Sequence, residues 1–307
     1  MRVGLSWDLD RWSSPGEAWP ALIAEIEQAD QMGFDSVWIT EGREGAADCS
    51  SPELFMTYAA KRTRSVQLRI AGRRVTRHDP VRIAEQVAVL DTFSRGRAGI
   101  AFASGGHQGV APGHVHEVVD FVTSAWSYDE LRYRGDHVRF PAHTPDDAPR
   151  GASAPEARGG YTPQWDWGPI TPDFLAVTPK PYVPRPPVYV DISDEDTLVW
   201  AARAGFAPFV AADVPTEDAL SRLIRYRECA DAAGRRRSEV EAVLERRLAL
   251  DGAGDETTLG GTGQDLVAAI GDIRAQTGIE QIVWRRGESA PMDLYRFASE
   301  VQPLLQA

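Results

Sequence analysis

The stretch from Val66 to Gly106 restricts the possible folds more than any other part of the chain. Val66 to Ala71 is short, apolar and bounded by polar residues, so it reads as a buried strand. Pro80 then suits the first turn of a helix, where its missing N–H costs nothing. Val81, Ala84, Val87, Ala88 and Leu90 repeat at helical spacing, and Ser94-Arg95-Gly96-Arg97 is a stop signal. Ala98 to Ala103 is again strand-like. Strand, helix and strand in succession make a βαβ unit, which requires a parallel sheet. The segments Thr76–Asp79 and Ser104–His107 then leave the carboxyl ends of neighbouring strands, where parallel α/β sheets build their sites.

The same alternation runs through the chain. Strands are expected at Arg2–Trp7, Asp35–Thr40, Pro187–Asp191, Phe206–Ala211, Val243–Leu250 and Gln281–Arg285, with helix an open alternative for Val243–Leu250. Between them lie helical patterns. Trp19, Leu22, Ile23, Ile26 and Ala29 share a face ended by Gly33. Further helices are read over Pro52–Arg62, Val115–Trp126, Asp194–Ala204, Thr216–Ala233, Gly263–Thr277 and Pro291–Leu305. Leu131 to Phe140 alternates around Gly135-Asp136, a hairpin signal. Eight strand–helix pairs predict an α/β chain folded as a (β/α)8 TIM barrel, in one domain over residues 1–307. The competing open, doubly wound sheet would favour a G-x-G-x-x-G turn after the first strand, and Gly4-Leu5-Ser6-Trp7-Asp8 has none. One irregularity stands out: a Pro/Gly-rich excursion from Pro141 to Pro187, before the fifth strand, carrying Tyr161, Trp165 and Trp167. Structureless runs of this length are commonly lids or binding loops.

Net charge is −12, which disfavours a nucleic-acid partner. Cys49 and Cys229 lack metal-ligand spacing and read as reduced thiols. Neither an apolar leader nor an apolar span of membrane length is visible, so a soluble cytoplasmic protein with no membrane partner is expected. His114-x-His116 is a weak metal pattern, and no metal is expected.

Two ordered motifs also carry a family resemblance. Arg77-His78-Asp79-Pro80-Val81-Arg82-x-Ala84-Glu85-Gln86 continues into Leu90-Asp91-x-x-Ser94-x-Gly96-Arg97, and Gly33-Phe34-Asp35-Ser36-Val37-Trp38 precedes them. Together they resemble the bacterial luciferase-like flavin monooxygenases. The resemblance runs from about Arg2 to Phe140 and again from Pro179 to Leu305. It implies reduced FMN supplied by a separate flavin reductase, oxygen, a small organic substrate and a homodimer. A deazaflavin coenzyme is the alternative, since the family includes enzymes that transfer hydride without oxygen. A third reading is a barrel that has lost flavin binding and serves as a partner subunit or small-molecule binder.

The resemblance places His78 at the reacting face, with Thr76 and Arg77 shaping the ring site. It also implies a non-proline cis peptide at or next to Arg77–His78. Ser104, Gly105 and Ser193 fall at the phosphate end. Three departures follow. The family usually has arginine where Ser104 stands, Gly42-Arg43 replaces a histidine pair after Glu41, and the carboxylates of Asp194, Glu195 and Asp196 follow Ser193. Those carboxylates are read as helix caps. The barrel rule adds Trp7, Asp8, Glu41, His107, Asp191, Asp213, Asp251, Arg285 and Arg286 as residues leaving strand ends.

Overall fold

The computed structural model describes residues 1–7, 9, 14–42, 49–105, 109–141, 176–236, 240–287 and 291–306. Most of the excursion (142–175), together with Asp8, Arg43, Gly106 and His107, lies outside the described residues.

Eight parallel strands close into a barrel: β1 (Arg2–Trp7), β2 (Ser36–Thr40), β3 (Gln67–Arg73), β4 (Ala98–Phe102), β7 (Val188–Asp191), β8 (Ala207–Val210), β9 (Val243–Leu250) and β11 (Gln281–Arg286). Closure runs through three pairings. Phe209 and Val210 of β8 meet Val243 and Leu244 of β9, and β11 pairs with both β9 and β1. The helices between them are α1 (Pro15–Gln31), α2 (Pro52–Arg62), α3 (Pro80–Ser94), α4 (Pro112–Ser127), α5 (Glu195–Ala204), α6 (Thr216–Ala232) and α7 (Gly263–Thr277). The expected hairpin is present as β5 (Tyr133–Arg134) and β6 (Arg139–Phe140).

Three details differ from the expectation. A short strand, β10 (Thr258–Gly261), pairs in parallel with Arg247–Leu250, so β9 is longer than the barrel needs. The last helical stretch is α8 (Pro291–Arg296), a π-helical turn over Phe297–Val301, and α9 (Gln302–Gln306). β3 continues past Ala71 to Arg73 through a bulge between Ile70 and Arg73, with Gly72 at φ +65°. That positive φ is open to glycine at little cost.

Two apolar layers result. Outward-facing residues such as Leu5, Val37, Ile70, Ile100 and Ile282 pack under the helices. Inside the barrel sit Trp38, Ala71, Ala101, Tyr189, Phe209, Val243 and Val283. Trp38 meets Tyr189 edge-on at 5.1 Å between centroids and lies 5.4 Å from Phe209. Large rings from some strands thus fill space left by alanines on others, and the barrel interior is a packed floor rather than a channel. Gly99 makes room for a further interior residue, since a Cβ there would come 2.8 Å from Arg69 Cδ.

Candidate active site

Above that floor, at the carboxyl ends of the strands, lies a small cavity of about 50 Å3. Its walls are Thr40, Ala71, Gly72, Phe102, Ala103, Phe209 and Ala211, and its polar groups are Glu41, Arg74, Asp191, Glu245 and Arg285. The mixture of apolar wall and a few convergent polar groups is that of a small-molecule site, while the enclosed volume lies well below the usual range of roughly 300–1,000 Å3.

Glu41 leaves β2 and is 2% exposed. Its Oε2 accepts the Arg74 backbone N–H at 3.1 Å and lies 3.5 Å from Arg73 Nη1. Its Oε1 is 3.1 Å from His78 Nε2. Arg73, 1% exposed, places Nη1 2.8 Å from the same His78 nitrogen and donates from Nη2 to Glu53 Oε2 at 2.6 Å. Glu53 lies in the first turn of α2 and is 4% exposed. The Gly72 bulge creates this arrangement: Arg73 turns outward to the helix layer, where Phe102 is its register partner, and Arg74 lines the mouth. His78 is held by the start of α3, whose N-cap Asp79 accepts from Val81 N at 2.8 Å and Arg82 N at 3.4 Å. Such a cap contributes about 1 kcal/mol.

Across the mouth, Glu245 is 1% exposed. It accepts from Ser6 Oγ at 2.6 Å, from Ala212 N at 3.0 Å and from Arg285 Nη1 at 3.4 Å. Its neighbour Arg246 points the other way, fully buried, donating from Nη1 to the carbonyls of Ala211 (3.1 Å) and Glu245 (2.7 Å). Burial lowers the Arg246 pKa to about 10.

The structure brings Ser104 and Ser193 together, Oγ to Oγ at 2.5 Å, with Ser104 fully buried. Gly105 fits there because a Cβ would meet Val110 O at 2.6 Å. The backbone donors beside this pair are engaged: Asp191 Oδ1 accepts from Ser193 N at 2.9 Å, and Asp194 Oδ1 accepts from Thr197 N at 2.7 Å. Asp194 therefore acts as the expected helix cap. Next to it, His116 Nε2 contacts Thr197 Oγ1 at 3.3 Å, and the imidazole stacks on Trp200 at 4.1 Å. Burial holds the His116 pKa below its ordinary value, against the opposing pull of Asp194 and Asp196.

Other sequence-derived candidates have different surroundings. Thr76 and Arg77 are exposed on the turn after β3 and do not line the cavity. Among the described residues the cis peptides are Phe140–Pro141 and Thr178–Pro179, so the bond at Arg77–His78 is trans. Trp7 and Arg286 face the helix layer, where Glu25 Oε2 accepts from both at 2.7 and 2.5 Å. Asp251 pairs with Arg296 at an exposed position, at 2.8 Å. Sequence reasoning missed Glu53, Arg73, Arg74 and Glu245. The available signal was charge inside an apolar pattern: Glu245 interrupts a strand-like run, and the bulge glycine directly precedes the two arginines.

The family model described as luciferase-like monooxygenase matches residues 1–258. The chain belongs to the luciferase-like monooxygenase family. Limonene 1,2-monooxygenase of Rhodococcus erythropolis is 36% identical over 73 residues, 24% of this chain and 19% of that protein. Two solved structures share the fold across nearly the full length. The oxygenating constituent of 3,6-diketocamphane monooxygenase from Pseudomonas putida, in complex with FMN, has a TM-score of 0.69 at 16% identity, covering 99% of this chain and 98% of that one. The coenzyme F420-dependent tetrahydromethanopterin reductase of Methanopyrus kandleri has a TM-score of 0.71 at 15% identity, covering 99% of both chains. Among the described residues no helix is long and apolar enough to cross a membrane.

Proposed function

We propose that this member of the family is a flavin-dependent monooxygenase that uses reduced FMN and oxygen to oxidise a small organic substrate. The observation carrying the reading is the barrel-mouth cavity, walled by Phe102, Ala103, Phe209 and Ala211 and bordered by the buried carboxylates Glu41 and Glu245. A flat ring system would widen this mouth on entering, since the enclosed space is about 50 Å3. When bound, reduced FMN supplies the oxygen-activating chemistry.

The chain's own residues do the rest. The apolar walls and the packed floor exclude water from the reacting end. Arg74 and Arg285 offer positive charge to the polar edge of a bound ring or substrate. Ser104, Gly105 and Ser193 would receive the phosphate end. Hydroxyl donors without an arginine make that end weakly binding, which suits a cofactor that arrives from a separate reductase and leaves again. His78 acts through Glu41, which is the member of that pair facing the cavity.

A second reading keeps the barrel and replaces FMN with the deazaflavin F420, for hydride transfer without oxygen. The full-length likeness to an F420-dependent reductase favours it. A homodimer is also proposed, on the apolar surface formed by Trp19, Leu54 and Tyr58 of α1 and α2, with Leu54 70% exposed.

Anaerobic titration with reduced FMN, oxidised FMN and F420, followed by tryptophan fluorescence, tests the cofactor. Selective binding of reduced FMN supports the monooxygenase. Selective binding of F420 promotes the second reading. Binding of none overturns both, and the engaged donors beside Ser193 would then describe a barrel that has lost its flavin site.

A further inference from the structure

Two incompatible partners meet at one nitrogen of His78. Arg73 Nη1 lies 2.8 Å and Glu41 Oε1 3.1 Å from Nε2. A guanidinium can only donate, and an ionised carboxylate can only accept. The arginine contact is therefore a hydrogen bond when Nε2 is bare. The glutamate contact is one when Nε2 carries hydrogen, or when Glu41 itself carries the proton. Nε2 cannot serve both ionised partners at once. The geometry thus admits two protonation states at a single site.

The positions of the two side chains give that alternation a direction. Glu41 lines the mouth cavity and its side chain is 1% exposed. The His78 side chain is 21% exposed and lies outside the cavity lining. Glu53 anchors the other arm of Arg73 at 2.6 Å, leaving Nη1 to choose between His78 Nε2 and Glu41 Oε2, which lies 3.5 Å away. With Glu41, Glu53 and Arg73 ionised, the buried group carries one net negative charge, and one proton on the Glu41–His78 pair neutralises it.

We propose that Glu41 and His78 form a proton relay between the barrel mouth and solvent, with Glu41 the catalytic residue at the cavity and Arg73 a positioning residue that selects which end holds the proton. For the reaction it serves, the relay rests on the oxidoreductase reading above. The Glu41 carboxylate takes a proton from an acid in the cavity. The Glu41 O–H bond then breaks as the Nε2–H bond forms, and Arg73 Nη1 turns from Nε2 toward the freed carboxylate. His78 gives its Nδ1 proton to water. One proton crosses, no electron moves, the cluster recovers its starting charge as the Nδ1 proton leaves, and it recovers its starting state once the ring exchanges tautomer.

The test needs no cofactor. Histidine is labelled with 15N, and the two imidazole nitrogen shifts of His78 are read at fixed neutral pH in the full-length protein. Glu41→Gln removes the ionised acceptor, so the share of the proton held on Nε2 should move to Nδ1. The double variant Glu53→Gln/Arg73→Gln removes the competing donor while keeping volume, so the proton should move onto Nε2. Shifts in opposite directions support the relay. Unchanged shifts, or the same direction in both variants, overturn it.

Turnover gives a second readout. Glu41→Ala should lose roughly a hundredfold in kcat with KM held, the scale of general acid–base catalysis. Added formate should restore part of the loss, and absence of rescue counts against Glu41 as the proton carrier. The two levels separate cleanly. Opposite shifts without binding of FMN or F420 would keep the relay and remove the cofactor reading. Cofactor binding with unmoved shifts would do the reverse.

Discussion

Glu41 and Glu245 face each other across the same mouth, 2% and 1% exposed, yet their partners differ in kind. Glu245 accepts from a serine hydroxyl, a backbone N–H and an arginine, none of which changes protonation near neutrality. It is a fixed clamp joining β1, β9, β11 and the loop after β8. Glu41 accepts from one backbone N–H and otherwise contacts a histidine and an arginine that are themselves in contact. Burial alone therefore does not decide what a buried carboxylate does. The donors around it do, and a donor that can lose its proton turns a clamp into a carrier.

The sharpest way to break this contrast is Glu245→Leu. It leaves the buried Ser6 hydroxyl and the Ala212 N–H facing an apolar side chain. We expect a loss of about 3–5 kcal/mol in urea unfolding, since each unsatisfied buried donor costs about 1–3 kcal/mol. Glu41→Gln should behave in the opposite way: folding within about 1 kcal/mol of the parent, but turnover down about a hundredfold. A stability loss at Glu41 equal to that at Glu245, with turnover intact, would erase the distinction.

Arg73→Lys comes next. One ammonium cannot span Glu53 and His78 as a guanidinium does, so the unfolding free energy should fall by about 1–3 kcal/mol. The smallest effect is a control on histidine chemistry. The His116 pKa is lowered mainly by burial, so the unfolded chain takes the proton more readily. Stability from this residue is complete above the ordinary value near ~6.5 and declines as pH falls below it. His116→Phe, which keeps the stack on Trp200, should flatten the melting temperature between neutral and mildly acidic pH while leaving the His78 shifts unmoved.

Much of the barrel was legible because parallel strands buried on both faces read as short apolar runs between Gly and Pro punctuation. β1 and β9 lie where the residues placed them, and the strand alternative for Val243–Leu250 is the one observed. β10 left no such signal. Thr258–Gly261 is half glycine and pairs only with the projecting end of β9. The site was legible in outline, since Glu41, Asp191 and Arg285 follow strand ends and line the mouth. Its buried half was not. Charged residues are almost never fully buried unless paired, so the burial of Glu53, Arg73 and Glu245 depends on partners that local pattern does not show. Each partner lies on another element: Arg73 meets Glu53, and Glu245 meets Ser6, 239 positions away. Local pattern carries no trace of such pairs.

The bulge at Gly72 sets a parity. Along an unbroken strand, the residue two after Ala71 would share its inward side, placing Arg73 over the barrel floor and Arg74 among the helices. One inserted residue reverses the count, and the two adjacent cations exchange compartments. Flattening the bulge with Gly72 kept in the strand would keep both arginines and the net charge while delivering the wrong one to each side. A relative that lacks the extra residue would keep the same parity, so roles carry across position 72 only when the alignment gap is placed at the bulge.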